Sequence, residues 1–279
     1  MLLSVTSRRG FGSRRRIRPL ARFTGAALMV GLGLSQESSH GDVSQLMLQD
    51  AYSAHLRRVQ AMLPAHSGLP PLLDLTQHQS DEGKKDRAWE DRYSGIGLSR
   101  GISDPGVAAP SEVTSIATTF IDGVGRPSAL PAKHCEAILI ATPVLAESKM
   151  AYTRTFVYSR YMLKIEKILK GKQKNGFRTG GQIQAVELAG GRVRFPSGHM
   201  TSFIRPGYGF LDVEKRYVLF IWTPPHTQTY TIANPYAIQD GLVFPLETVP
   251  NVSAYQKGMP VQQFEARVKA AIAKNIDTD

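Results

Sequence analysis

Apolar and polar residues change rhythm several times along this chain, and each change marks an element. Over residues 42–63, DVSQLMLQDAYSAHLRRVQAML, Leu48, Tyr52, His55 or Leu56, Val59 and Leu63 recur at helical spacing on one face. Asp42 and Gln45 form a capping-box-like start. Pro64, which has no N–H and whose ring clashes with the preceding turn, stops the helix. The pattern predicts one amphipathic helix, set apart in sequence, that docks on a domain or mediates self-association. From 64 to 110 no period persists. SGLPPLLDL, HQSDEGKKDRAWEDRYSG and SRGISDPGVAAPS are rich in Gly, Pro, Ser and charge, a composition expected of a disordered linker.

Strand rhythm begins near residue 111. EVTSIATTFI is a first candidate, and CEAILIATPVL is a compact apolar run of strand length. In TRTFVYSRYMLKIEKI, residues 153–168, Val157, Tyr161, Leu163 and Ile165 share one face, broken at Ser159. Arg160, Lys164 and Glu166 lie on the other face with Phe156, Tyr158 and Met162. A strand from Thr155 to Glu166 would run to roughly 40 Å, long enough to coil through two faces of a closed sheet and to bend at Ser159. QIQAVEL, RVRF, RYVLFIWT, TQTYTIA and GLVFPL follow, and RYVLFIWT, apolar on both faces, is predicted to be central. RTGGQ and LAGGRVRF lack the spacing of phosphate-binding loops and read as hairpin turns. Pro260 suits the first turn of a last helix, whose stripe is Val261, Phe264, Val268 and Ile272. Short strands with Gly and Pro punctuation predict a mainly β domain over 111–275. The expected architecture is an OB-like closed or partly open β-barrel, plugged at one end by the C-terminal helix.

The N-terminus changes the picture of where such a domain works. Seven arginines precede residue 23 with no acid among them, followed by FTGAALMVGLGL at 23–34 and then SQESSHGD. A basic stretch, a short apolar run and small residues have the physical form of a secretory signal over 1–36. The apolar run is shorter than the roughly 17–25 residues that span a bilayer. SRRRI at 13–17 has the look of a twin-arginine signal. The expected location is extracytoplasmic, periplasmic or secreted, with a membrane contact only if the segment stays uncleaved. Without those seven arginines the net charge of +11 falls to +4, so the basic balance is weak grounds for a nucleic-acid partner.

Taken together, CEAILIATPVL, RTFVYSRYMLKIEKILKG, RYVLFIW and the late GLVFPL resemble a domain recurrent in exported bacterial proteins of uncharacterised function. In that domain a strand ending in a Leu-Lys-Gly turn precedes a Tyr-x-Leu-Phe strand. The pattern is also similar to the netrin/TIMP-like variant of the OB barrel. The resemblance covers roughly 111–275 and implies a fold. It assigns no functional residue, and the disulfides and exposed N-terminal cysteine of the inhibitors have no counterpart here, because Cys135 is the single cysteine.

Candidate chemistry is sparse. Cys135 follows His134, but neighbours on a strand point to opposite faces and cannot readily share a proton. The seven histidines show no metal-ligand spacing, so no metal and no cofactor are predicted. The segment PSGHMTSFIRPGYGF, 196–210, reads as a loop at the barrel mouth, with His199, Arg205, Tyr208 and Phe210 as candidate ligand-binding residues or as a cover for the barrel end. Tyr158, Arg160, Lys164, Lys170, Lys172 and Lys174 form a candidate basic face for nucleic acid, or a solvated face that guards a strand edge. The leading expectation is a non-catalytic exported protein that binds a protein, a polymer or an envelope component. The alternatives are an enzyme or protease-inhibitor-like module using the 196–210 loop, and a nucleic-acid-binding barrel.

Overall fold

The structure, a computed structural model, describes residues 39–76, 102–104, 116–120, 128–151, 154–171, 177–223, 230–248 and 258–278. The signal-like segment 1–36, Lys172, Lys174 and most of the expected linker lie outside them. Contacts divide the chain into two units, Met1–His40 and Gly41–Asp279, and all strands belong to the second. The first helix, α1, spans Ser39–Met62. It is followed by β1 (Leu72–Asp74), β2 (Ile116–Phe120), β3 (Ala137–Met150) and β4 (Val157–Lys170). Then come β5 (Gln182–Ala189), β6 (Gly191–Arg194), β7 (Met200–Ile204) and β8 (Arg216–Trp222). The chain ends with β9 (Tyr230–Gln239), β10 (Leu242–Pro245), β11 (Met259–Pro260) and α2 (Val261–Lys274). The protein is thus mainly β with a C-terminal helix.

β9 organises the larger sheet. One of its edges pairs antiparallel with β8. The other pairs parallel with β5 at Val186↔Tyr230 and antiparallel with β10 from Tyr236 onward. Because β8 also pairs with β3, β3 with β4 and β4 with β5, the circuit β3–β4–β5–β9–β8 returns to its start. Alternation along these strands then separates two cores. Leu139, Tyr161, Leu163, Tyr217, Leu219 and Ile221 share an inner core, fully buried. Their sequence neighbours Ile138, Ile140, Val218 and Phe220 form an outer core with Phe264, Val268 and Ala271 of α2. α2 therefore lies across the outside of the ring, not at one end of it, and Lys167 of β4 binds Glu265 of α2 at 2.6 Å.

A second sheet, ordered β1–β6–β7–β2, was not foreseen from sequence. Its Leu73, Val193 and Phe203 enclose a third core with Phe156, Val157 and Tyr158 at the start of β4. β7, inside the expected loop 196–210, is buried at all five positions. Ser159 does not bend β4. It is fully buried in the inward row and donates to Gly190 O at 2.7 Å, while the irregularity against β5 falls between Tyr161 and Leu163.

α1 begins before Asp42, which therefore lies within the helix and not at its cap. It is docked: Val59 and Leu63 enter the inner core, His55 Nε2 and Ser202 Oγ share a hydrogen bond at 2.8 Å, and Arg192 donates to Tyr52 OH at 2.9 Å. The first part of the expected linker is ordered too. Pro71 O accepts from Arg192 N and from Ser148 Oγ, and Pro70 O accepts from Arg192 Nε at 2.6 Å. Among the described residues no helix is long and apolar enough to cross a membrane.

Candidate functional site

Two tight turns bring buried polar groups together beside the outer core. The first is Asp240-Gly241, both with positive φ (51° and 77°), the conformation of a two-residue hairpin turn between β9 and β10. That turn sets the register Pro245↔Tyr236, and Leu246 N–H continues it by donating to Pro235 O at 3.0 Å. One step further, Glu247 falls opposite Asn234. The second turn is Arg205-Pro206-Gly207-Tyr208. Tyr208 N–H donates to Arg205 O at 3.1 Å, and Gly207 has φ 77°, which fits a type II turn with Pro and Gly at its centre. It folds the Arg205 guanidinium over the Tyr208 ring, 3.6 Å from the centroid.

Tyr208 and Glu247 form an antiparallel bridge. Its bonds are Thr248 N–H to Gly207 O at 2.8 Å and Gly209 N–H to Leu246 O at 2.7 Å, the pattern of a non-hydrogen-bonded pair, in which side chains lie closest. Tyr208, Glu247 and Asn234 thus form a row on one face. Asn234 Nδ2 donates from that face to Ser128 O at 2.7 Å and Ala129 O at 3.1 Å. Glu247 is 1% exposed, and among the described residues neither of its carboxyl oxygens, nor Asn234 Oδ1, has a hydrogen-bond partner. Burial pushes the Glu247 carboxyl up to about 8, and the positive charge of Arg205 offsets this only in part. At neutral pH Glu247 is therefore mostly a neutral acid, able to donate or take up a proton, beside a cation held by an aromatic ring.

Of the four candidates in the 196–210 segment, the fold brings Arg205 and Tyr208 together. His199 has its own surroundings: it is buried against Phe195, its Nε2 lies 3.0 Å from Thr201 Oγ1, and burial lowers its pKa. Phe210 is buried in the inner core and its N–H donates to Ser67 Oγ at 2.8 Å. Sequence reading missed Glu247 and Asn234. The available signal was the Asp-Gly turn, which fixes the register that aligns them.

The basic face is largely engaged elsewhere. Tyr158 is buried between the sheets, because β6 and β7 cover that end of β4. Arg160 pairs at 3.3 Å with Glu187, whose side chain is fully buried. Lys170 donates to Ala132 O at 2.5 Å, while Lys164 is exposed. Cys135 is buried and burial pushes its thiol up to about 12, whereas His134 turns to Asp277. Among the described residues no three His, Cys, Asp or Glu side chains gather as a metal site would require. No protein-family model, curated protein or solved structure matches the chain.

Proposed function

We propose that the β-rich region is an OB-like barrel acting as an exported, non-catalytic binding module. It engages a protein, a polymer or an envelope component through the junction of the Arg205–Tyr208 turn with Glu247 and Thr248. The observation that carries this reading is the filled ring. Its interior is occupied by Tyr161, Leu163, Tyr217 and Leu219, all fully buried, so recognition belongs to its margins. The strand circuit and the parallel β5–β9 contact support the OB-like assignment. The Arg205–Tyr208 stack supports the junction as a recognition point, since arginine and tyrosine dominate binding surfaces when held rigid.

One observation favours a second reading, an enzyme. A carboxyl kept protonated near neutrality beside Tyr208 and Arg205 suits general acid catalysis. The nucleic-acid reading has less support, because base stacking needs an accessible aromatic and Tyr158 is buried. Cell fractionation with N-terminal sequencing, combined with a photo-crosslinking residue at position 205, tests the proposal. Export predicts an extracytoplasmic mature chain that begins beyond the signal-like segment and crosslinks from 205 but not from 164. A cytoplasmic chain with Met1 intact, or crosslinks from 164 alone, would overturn it and return nucleic acid to the foreground.

A further inference from the structure

An irregularity in β3 sets up a surface that shares no residue with the Glu247 row. Pro143 is paired with Leu163 and Leu145 with Met162, so Val144 is an extra residue, a β-bulge. The bulge breaks the alternation that would turn one of its two side chains inward, and Val144 and Leu145 are 37% and 50% exposed. Beyond Ala141, β8 no longer pairs with β3, and the turn before β8 takes its place. Glu214 in that turn has φ 69°, and its N–H donates to Pro143 O at 2.8 Å. This bond brings Val213, 41% exposed, beside the bulge. Three of the six large apolar side chains exposed among the described residues thus gather at one point, with the half-buried Met162 next to them. Scattered exposed apolar residues are ordinary, whereas a cluster marks a contact.

The charges around the cluster say what fits it. Most are paired within the chain: Glu147 with Lys149 at 3.2 Å, Asp212 with Lys215 at 2.5 Å and Glu166 with Arg216 at 2.8 Å. Lys164 and Glu214 are exposed and have no ion-pair partner among the described residues. Lys164 lies opposite Thr142 on one side of β3, and Glu214 is tied to Pro143 on the other. The two are level along β3 to within one residue and separated by its width. A two-fold axis running along β3 in the plane of contact exchanges its two sides. It sets bulge against bulge, and Lys164 of each copy against Glu214 of the other. An apolar centre flanked by one cation and one anion is therefore complementary to itself. Its few apolar side chains make the contact smaller than a standard interface, so the association is weak and reversible.

We infer that the β3 bulge is the docking surface for a second copy of this chain, with Val144, Leu145 and Val213 at the centre and two Lys164–Glu214 pairs at the margins. Sedimentation equilibrium of the folded full-length chain over roughly 1 µM to 1 mM tests this and should show a reversible monomer–dimer equilibrium. K164E alone, or E214K alone, should weaken the dimer at least roughly tenfold, because like charges then face each other twice. An equimolar mixture of these two variants should recover the parent's association, because their heterodimer restores opposite charges at both margins. L145D should abolish association, and the mixture of charge variants decides the matter even if L145D is destabilised. A chain that stays monomeric throughout, a mixture that associates no more tightly than its separate components, or full self-association of L145D would each overturn the inference.

Discussion

Glu247 and Tyr208 face each other as a non-hydrogen-bonded antiparallel pair, bracketed by backbone hydrogen bonds of 2.7 and 2.8 Å. Two short bonds hold a carboxyl against an aromatic ring, and that ring carries a guanidinium on its face. No strand ladder of any length is needed. The Asp-Gly turn sets one side of the pair and the Pro-Gly turn sets the other. The consequence is a buried carboxyl whose protonation state is coupled to the stability of the fold.

That coupling has a definite sign. Burial raises the Glu247 carboxyl from its ordinary 4.5 to about 8. Between those values the folded chain holds a proton that the unfolded chain has released. The stabilisation is complete below about pH 4.5 and is lost as pH rises toward 8, at about 1.4 kcal/mol per pH unit from this group alone. Urea unfolding at pH 5 and pH 8, with the parent compared with Glu247→Gln, should show the variant losing that slope and gaining on the parent at the alkaline end. A variant with the parent's full pH dependence would show that Glu247 titrates as an ordinary carboxyl.

His55 carries the opposite dependence. Burial, with Arg192 and Arg58 nearby, holds its pKa below 6.5, so the unfolded chain takes up the proton first as pH falls. Its contribution is fully present above about pH 6.5 and is lost as pH drops through the lowered value. His55→Gln can keep a hydrogen bond to Ser202 while removing the titration. On going from pH 7.5 to pH 5 the change in stability should be more favourable in this variant than in the parent, because the opposing contribution of His55 is gone, and hydrogen exchange in α1, corrected for intrinsic rates, should be less sensitive to acid. Equal changes in both chains would separate α1 docking from His55 protonation.

Two glycines with positive φ separate backbone strain from crowding. Gly180 has φ 77° and open space where a Cβ would stand, whereas Gly190 has φ 100° and a Cβ there would lie 2.6 Å from Phe203 O and 2.9 Å from Phe210 Cζ. Gly180→Ala should cost about 1 kcal/mol, the penalty of a left-handed residue with a side chain. Gly190→Ala should cost at least about 2 kcal/mol more, because backbone must move as well. Thermal unfolding measures both, and equal midpoints would show that the corner between β5 and β6 is looser than described.

Much of the ring was legible in the chain, for reasons that particular residues make plain. Val218, Phe220 and their alternating neighbours in β8 are buried on both faces, which is why RYVLFIW reads as central. The α2 stripe of Phe264 and Val268 appears at helical spacing because one face meets the outer core. β7 was hidden because Thr201 and Ser202 interrupt its apolar run, yet both are buried, satisfied by His199 and His55. The same limit hid the covering of Tyr158, since nothing local to β4 announces the second sheet. At the candidate site, Arg205 and Tyr208 could be picked out because a Pro-Gly turn lies between them. Glu247 could not, because its burial comes from a register between segments distant in sequence. Ile138 belongs to a different core from Leu163 and Leu219: it points outward under α2, as its place one residue before the inward-facing Leu139 requires.

The filled, closed ring underlies the proposed function, and its closure rests on β9 pairing on both edges. Cross-strand contacts between backbone protons, measured by NMR on the folded chain, test that directly. The account predicts contacts at Val186↔Tyr230 across the parallel β5–β9 edge and at Val218↔Tyr236 across the antiparallel β8–β9 edge, in the same folded species. Contacts at Val218↔Tyr236 with none at Val186↔Tyr230 would describe an open sheet whose inner face meets solvent or ligand, and would contradict the account.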